Sequence, residues 1–166
     1  LQQDHDLSLQ ALDEAKYIFE DSTLSYHDYY WAYAEGNRSL TLASTGNLES
    51  AKDGLNNALD ILEKYKDEYA ISDYLIQYGK VLVFQNMADE AIDYLLEGLA
   101  LAEKNEFINR IRDASQLLNQ IYEQRQDFTK AYTYQTAYIQ ARDSLMNADL
   151  IRQLADQETK FQVSQK

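Results

Sequence analysis

An all-helical chain built from repeated helix pairs is the fold class this sequence predicts, and three observations predict it. Proline is absent and only five glycines occur among abundant Ala, Leu, Glu, Lys and Gln, so helix is favoured throughout and strands have little to build on. Ala11, Ala51, Ala91 and Ala131 stand forty residues apart, and a fixed period of that length marks a solenoid. The stretch from Leu75 to Gly98 reads as two short helices folded back on each other. Small residues at Gly79, Ala91 and Gly98 accompany larger ones at Leu75, Tyr78, Leu82 and Leu95, with a polar break at Gln85 and Asn86. Antiparallel helices cross closely only where side chains are small.

The period is kept with unequal strictness along the chain. Leu55 and Ala58 follow Ala51 at the offsets of Leu95 and Gly98, and Gly46-Asn47-Leu48 matches the turn Asn86-Met87-Ala88. Around Ala131 the turn is Gln126-Asp127-Phe128, but Asn119 replaces the repeat glycine and Gln135 and Tyr138 take the later packing positions. Ala11 keeps only Ala15 and Ile18. The expected organisation is a half repeat over 5–20, repeats over about 24–66, 67–104 and 105–145, and a C-terminal helix over 146–166. The spacing Leu75-x2-Tyr78-Gly79-x2-Leu82, then Ala91-x3-Leu95, resembles the tetratricopeptide repeat pattern without its final proline. That resemblance covers about residues 6–145 and implies a right-handed superhelical solenoid of antiparallel helix pairs. The step of forty exceeds the usual 34 residues, which lengthens the helices near the inter-repeat turns.

Taken in order, residues 5–20 fit a helix with Leu9, Leu12, Ala15 and Phe19 on one side and Asp6 or Ser8 as cap; Asp21-Ser22-Thr23 breaks it. A second helix, from about Leu24 to Ser44, carries Tyr26, Tyr29, Tyr30 and Tyr33 along one stripe with Trp31 beside it; such a stripe is expected to pack between the first helix and the next pair. Gly46 tolerates a left-handed turn and Asn47 is placed to cap the third helix, about 48–66, whose inner face is Leu55, Ala58, Leu59 and Leu62. Lys66-Asp67-Glu68 leads to a fourth helix over about 69–85, a fifth runs over about 88–104, and Lys104-Asn105-Glu106 is the next break. The sixth, about 107–125, presents Ile111, Ala114, Leu118, Ile121 and Tyr122, and Asp127 is placed to cap the seventh.

Composition and charge exclude several functions. Without cysteine there are no disulfides, thiolate metal sites or cysteine nucleophiles. Apolar runs such as Val81 to Phe84 are far short of the ~20 residues that span a bilayer. The net charge of −13 comes from 28 acidic against 15 basic residues, and the first 80 residues carry −9 of it. Such a surface repels phosphate backbones and anionic lipid, so neither nucleic-acid binding nor direct membrane insertion is expected. The first residue is leucine, so the chain is expected to be part of a longer one, with any signal peptide or membrane segment outside it.

No catalytic or metal motif emerges. His5 between Asp4 and Asp6, and His27 before Asp28, have no second histidine at i+4, so no metal and no cofactor is expected. There is no nucleophile elbow, glycine-rich phosphate loop or HExxH, which makes an enzyme the less favoured reading. The tetratricopeptide resemblance points instead to a concave groove lined by the first helix of each pair. Carried over residue by residue, its positions are Tyr33, Asn37, Leu40 and Ser44, then Asp73, Ile76, Gln77, Lys80 and Phe84, then Asp113, Gln116, Gln120 and Gln124. Family members that clamp a chaperone's terminal carboxylates use several lysines, arginines and asparagines there; this chain offers Lys80 and Asn37. An extended peptide or polar ligand suits this amide-rich groove better.

The stretch Ala141-Arg142-Asp143-Ser144-Leu145, with Ile151-x2-Leu154-Ala155-x2-Glu158-Thr159-Lys160-Phe161, resembles the exit helix of tetratricopeptide sensor modules in bacterial histidine kinases and helix-turn-helix regulators. The resemblance implies the input domain of a membrane-attached signalling protein, on the periplasmic side of an inner membrane; a cytoplasmic placement stays open. Met146, Leu150, Leu154 and Phe161 fall within roughly 80° at helical spacing. That stripe is expected to cap the end of the solenoid, with dimerisation through this helix in the full-length protein as the alternative. Two further readings remain at this level. One is a free-standing adaptor or scaffold. The other is a regulator acting on a response regulator, for which Gln77, Gln120 and Gln124 are the available amides.

Overall fold

The computed structural model describes residues 2–19 and 26–164, apart from the side chains of residues 2–4, 19 and 161–164. Within them are seven α-helices and no strand: α1 Gln2–Phe19, α2 His27–Ser44, α3 Leu48–Tyr65, α4 Glu68–Phe84, α5 Ala88–Lys104, α6 Ile108–Gln124 and α7 Phe128–Ser164. Helix α1 begins before Asp6 and Ser8, so both lie inside it rather than at its cap. Helix α2 begins at His27 rather than near Leu24, because Tyr26 takes a left-handed conformation with φ 59°. The expected break at Asp21-Ser22-Thr23 lies outside the described residues.

The backbone keeps the forty-residue register more strictly than the side chains do. Positive φ values occur at Tyr26, Lys66 and Glu106, and again at Gly46, Asn86 and Gln126. Each set steps by forty, and the two sets alternate every twenty residues. At Gly46, Lys66, Asn86, Glu106 and Gln126 the chain closes the preceding helix with the same pair of hydrogen bonds. After α4, for example, the Met87 N–H donates to the Leu82 carbonyl at 2.9 Å and the Asn86 N–H to the Val83 carbonyl at 3.1 Å. This left-handed closure satisfies carbonyls that a helix end leaves free. Only one of the six left-handed positions is glycine, and the others carry the strain that L-residues incur there. Asn47 makes no side-chain cap, contrary to expectation, whereas Asp67 accepts from the Ala70 N–H and Asp127 from the Lys130 N–H.

Packing follows the same step. Helices pair as α2 with α3, α4 with α5 and α6 with α7; each second helix also touches the next first helix, and α2, α4 and α6 lie against one another in turn. Ala51 and Ala91 are fully buried and Ala131 nearly so, whereas Ala11 is exposed. Gly79 and Gly98 let α4 and α5 approach closely: a Cβ at Gly79 would stand 2.8 Å from Leu95 Cγ, and one at Gly98 2.7 Å from Ile76 Cγ1. The Ser72 hydroxyl donates to the Gly98 carbonyl at 2.8 Å across the same crossing. A cleft of about 580 Å³ lined by Glu63, Glu68, Ile71, Glu97, Leu101 and Lys104 recurs forty residues on. There Glu103, Ile108, Ile111, Ala137, Ala141 and Ser144 line one of about 290 Å³.

The C-terminal expectation needs correction. No separate capping helix forms: α7 is one continuous helix that among the described residues touches only α6, and its residues 146–160 are all exposed. Met146, Leu150 and Leu154 are 63%, 55% and 57% exposed, and the Phe161 side chain lies outside the described ones. Nothing breaks the helix after Ala141, since glycine and proline are both absent there, so the segment runs straight on instead of folding back.

Candidate binding face

The first helices α2, α4 and α6 each bury two sides and leave one stripe open. On α4 the buried residues include Ile71, Tyr74, Leu75, Tyr78 and Leu82, and the open stripe is Tyr69, Asp73, Gln77, Lys80 and Phe84 at i+3 and i+4 steps. Ile76, expected on this face, is only 1% exposed because it fills the space over Gly98.

Towards the N-terminal ends of these helices the face is closed by its own polar groups. Tyr33, expected to meet a ligand, donates its hydroxyl to Asp67 Oδ2 at 2.6 Å, and Tyr29 donates to the same oxygen at 2.7 Å. The Tyr74 hydroxyl donates to the Tyr33 carbonyl at 3.0 Å, and Tyr65 to Asp28 at 2.5 Å. Asp73 is held by Arg110 at 2.9 Å, and the Gln77 amide leans on Asp73 at 3.5 Å. Asp113 pairs with Arg112 at 2.6 Å. Arg110 lies over the Tyr69 ring, 5.0 Å from its centroid, and donates to the Tyr69 hydroxyl at 3.1 Å.

This network shifts the titration of its members. Burial pushes the Asp67 carboxyl up, but the hydroxyls of Tyr33 and Tyr29 and the Ala70 N–H outweigh it and hold the group below its ordinary 3.8. Burial, then the bond to Asp67, raises the Tyr33 hydroxyl well above the ordinary tyrosine range. The bond to Asp28 lifts Tyr65 to about 12. Tyr29 and Tyr33 of the α2 stripe therefore serve the α3–α4 junction. Only Tyr29 and Tyr33 are half-buried, whereas Tyr26 and Tyr30 are exposed. Trp31 meets α1 instead, with the Lys16 ammonium 5.0 Å from its ring.

Towards the C-terminal ends the face is open. Asn37, Lys80, Phe84, Gln116, Gln120 and Gln124 are all exposed, Phe84 at 76%. Lys80 makes no ion pair among the described residues. A cation one helical turn from a bare aromatic ring, with amides on the neighbouring helices, can attach a carboxylate or carbonyl together with an apolar side chain. Among the described residues, no three histidine or acidic side chains converge as metal ligands would, and no helix is long and apolar enough to cross a membrane.

Of the residues expected to contact a ligand, Tyr33, Asp73 and Gln77 are drawn into internal contacts, while Asn37, Lys80, Phe84, Gln116 and Gln120 remain available. Sequence reading missed Arg110, Tyr69, Tyr29 and Asp67 as the groups that close the other half. One signal was present: Arg110 stands forty residues after Ala70, a buried position, so an arginine there had to find partners at the helix junction. Comparison with protein-family models, curated proteins and solved structures finds no match.

Proposed function

We propose that the chain is a non-catalytic tetratricopeptide-like solenoid that binds an extended peptide or protein segment across α2, α4 and α6. The observation that carries the reading is the exposed Lys80–Phe84 pair at the centre of three adjacent first helices, whose other half is sealed by Arg110, Asp73 and Asp67. Contacts confined to adjacent helix pairs and the forty-residue register of turns and clefts support the solenoid. Decapeptides selected from a random library and titrated by calorimetry test the site. Binding is expected to weaken at least tenfold in Lys80→Ala plus Phe84→Ala and to survive Leu150→Ala; unchanged binding in the double variant refutes the site.

The role we assign is the input module of a bacterial membrane-attached signalling protein, passing a change of shape out along α7. It rests on the exit-helix resemblance and on the run of α7 beyond the body. Residues 146–166 carry three acidic and three basic side chains, a neutral segment in a chain of charge −13, so two copies can bring their Met146, Leu150 and Leu154 stripes together without strong repulsion. Light scattering is expected to find residues 1–166 dimeric and residues 1–145 monomeric. If residues 1–166 are monomeric at high micromolar concentration, pairing through this helix is ruled out.

A further inference from the structure

We propose that the Tyr69 hydroxyl is a second anchor of the peptide site, donating a hydrogen bond to a main-chain carbonyl of the bound segment; the inference rests on peptide binding at Lys80 and Phe84. Tyr69 stands at the N-terminal end of the open stripe of α4 and is 43% exposed, in the half of the face that is otherwise closed. Its oxygen already accepts twice, from Asn109 Nδ2 at 3.2 Å and from Arg110 Nη2 at 3.1 Å. The Asn109 amide is oriented by its own oxygen, which accepts from the Arg110 N–H at 3.0 Å, so that its nitrogen faces Tyr69. With two bonds accepted, only the phenolic proton is left to give. No acceptor for it occurs among the described residues. The ring is held on both sides: it meets Phe107 edge-on at 5.0 Å between centroids, and the Arg110 guanidinium lies 5.0 Å from its own centroid.

The forty-residue register shows what this proton lacks. Tyr29 is the equivalent residue one unit earlier, and its hydroxyl donates to Asp67 Oδ2 at 2.7 Å. Beside Tyr69 the place of Asp67 is taken by Phe107, whose side chain has no oxygen to offer. The acceptor that the first unit supplies from its own chain is left to a ligand in the second. Local charge decides the kind of acceptor. Arg110 is already balanced by Asp73 at 2.9 Å and Asp113 at 3.8 Å, so a carboxylate would meet two like charges and a neutral oxygen is preferred. An extended peptide presents such an oxygen at every residue. Tyr69 lies eleven positions from Lys80 and fifteen from Phe84 along α4, about 16 and 22 Å at ~1.5 Å per residue, a span that about five to seven residues of extended chain cover at ~3.3 Å each.

The probe is the tightest-binding decapeptide from the random library, resynthesised with its main-chain carbonyls replaced one at a time by thiocarbonyls, which are weaker acceptors. Calorimetry against residues 1–166 is expected to find a position whose replacement weakens binding about fivefold, the usual effect of losing one hydrogen bond. That sensitivity is expected to vanish in Tyr69→Phe, which keeps the ring, and in Asn109→Asp, whose second carboxylate oxygen takes up the Tyr69 proton. Any general effect of the added charge or of altered packing falls on every peptide of the series alike and leaves the contrast between positions intact. A series without a sensitive position, or one with the same profile in the wild type and both variants, overturns the proposal, while binding that still depends on Lys80 and Phe84 keeps the peptide site. Failure of every decapeptide to bind, or binding that ignores Lys80→Ala plus Phe84→Ala, overturns both.

Discussion

Gly79→Leu is expected to destabilise the protein by about 3 kcal/mol, at the upper end of what overpacking a crossing costs. A Cβ at this position would lie 2.8 Å from Leu95 Cγ, 2.9 Å from its Cδ2 and 3.3 Å from the Ala91 carbonyl oxygen. Leu95 is fully buried and has no open side into which to swing, and the carbonyl belongs to the backbone of α5. The helices must therefore separate, which loosens the contacts of Tyr78 and Leu82 as well. For a chain of this size the loss corresponds to a melting temperature lower by about 6–12 °C. Gly46→Ala supplies the contrast, because Gly46 has φ +88° and no neighbour within 4 Å. It should lose only about 1 kcal/mol, through backbone strain. Thermal unfolding that leaves Gly79→Leu within a degree or two of wild type contradicts the close crossing of α4 and α5.

Asp67→Ala is expected to have an effect of similar size, about 3 kcal/mol. It removes the side-chain cap of α4, worth roughly 1 kcal/mol. It also leaves the half-buried hydroxyls of Tyr29 and Tyr33 without their shared charged acceptor, each bond contributing about 1 kcal/mol after allowance for partial exposure. Folding holds the Asp67 carboxyl below its ordinary 3.8. The stability it supplies is therefore present above about pH 4 and is lost as pH falls through the lowered folded value. Chemical denaturation between pH 7 and pH 2.5 should show a steeper acid loss in the wild type than in Asp67→Ala. Parallel curves would mean that Asp67 titrates alike in the folded and unfolded chains. A double-mutant cycle with Tyr33→Phe should be clearly non-additive, because both changes remove the same bond.

How much of this was legible in the sequence depended on whether a residue's chemistry announced its place. The alanine ladder and Gly79 with Gly98 pointed to the crossings because only small side chains fit there, and Ala51, Ala91, Ala131 and both glycines are buried as expected, whereas Ala11 is exposed. Lys66 and Glu106 gave no sign of their left-handed turns; they look like surface charges, and only their register with Tyr26 marks them. Asn47 carried a capping residue type without making the bond. On the candidate face, the repeat resemblance placed Lys80 and Phe84 on the groove but could not tell that Tyr33 and Asp73 would be claimed by Asp67 and Arg110. Those pairings cross from helix to helix over more than thirty residues. The expectation that Met146, Leu150 and Leu154 cap the body failed because a stripe shows only that a helix has an apolar side. Which surface meets it depends on whether the chain turns, and here it does not.

The account stands on one forty-residue unit stacking in a single register, and deleting one unit tests that most directly. Removal of residues 67–106 joins Lys66 to Phe107, keeps the left-handed residue in place and sets Ile111 where Ile71 stood. Because each unit meets only its neighbours, the shortened chain is expected to remain helical and to unfold in one cooperative transition at a lower temperature, as followed by circular dichroism. A control lacking residues 67–102, which breaks the register by four, should lose that transition. If the two deletions behave alike, or if the in-register one is no longer folded, the repeated unit is not the basis of the structure.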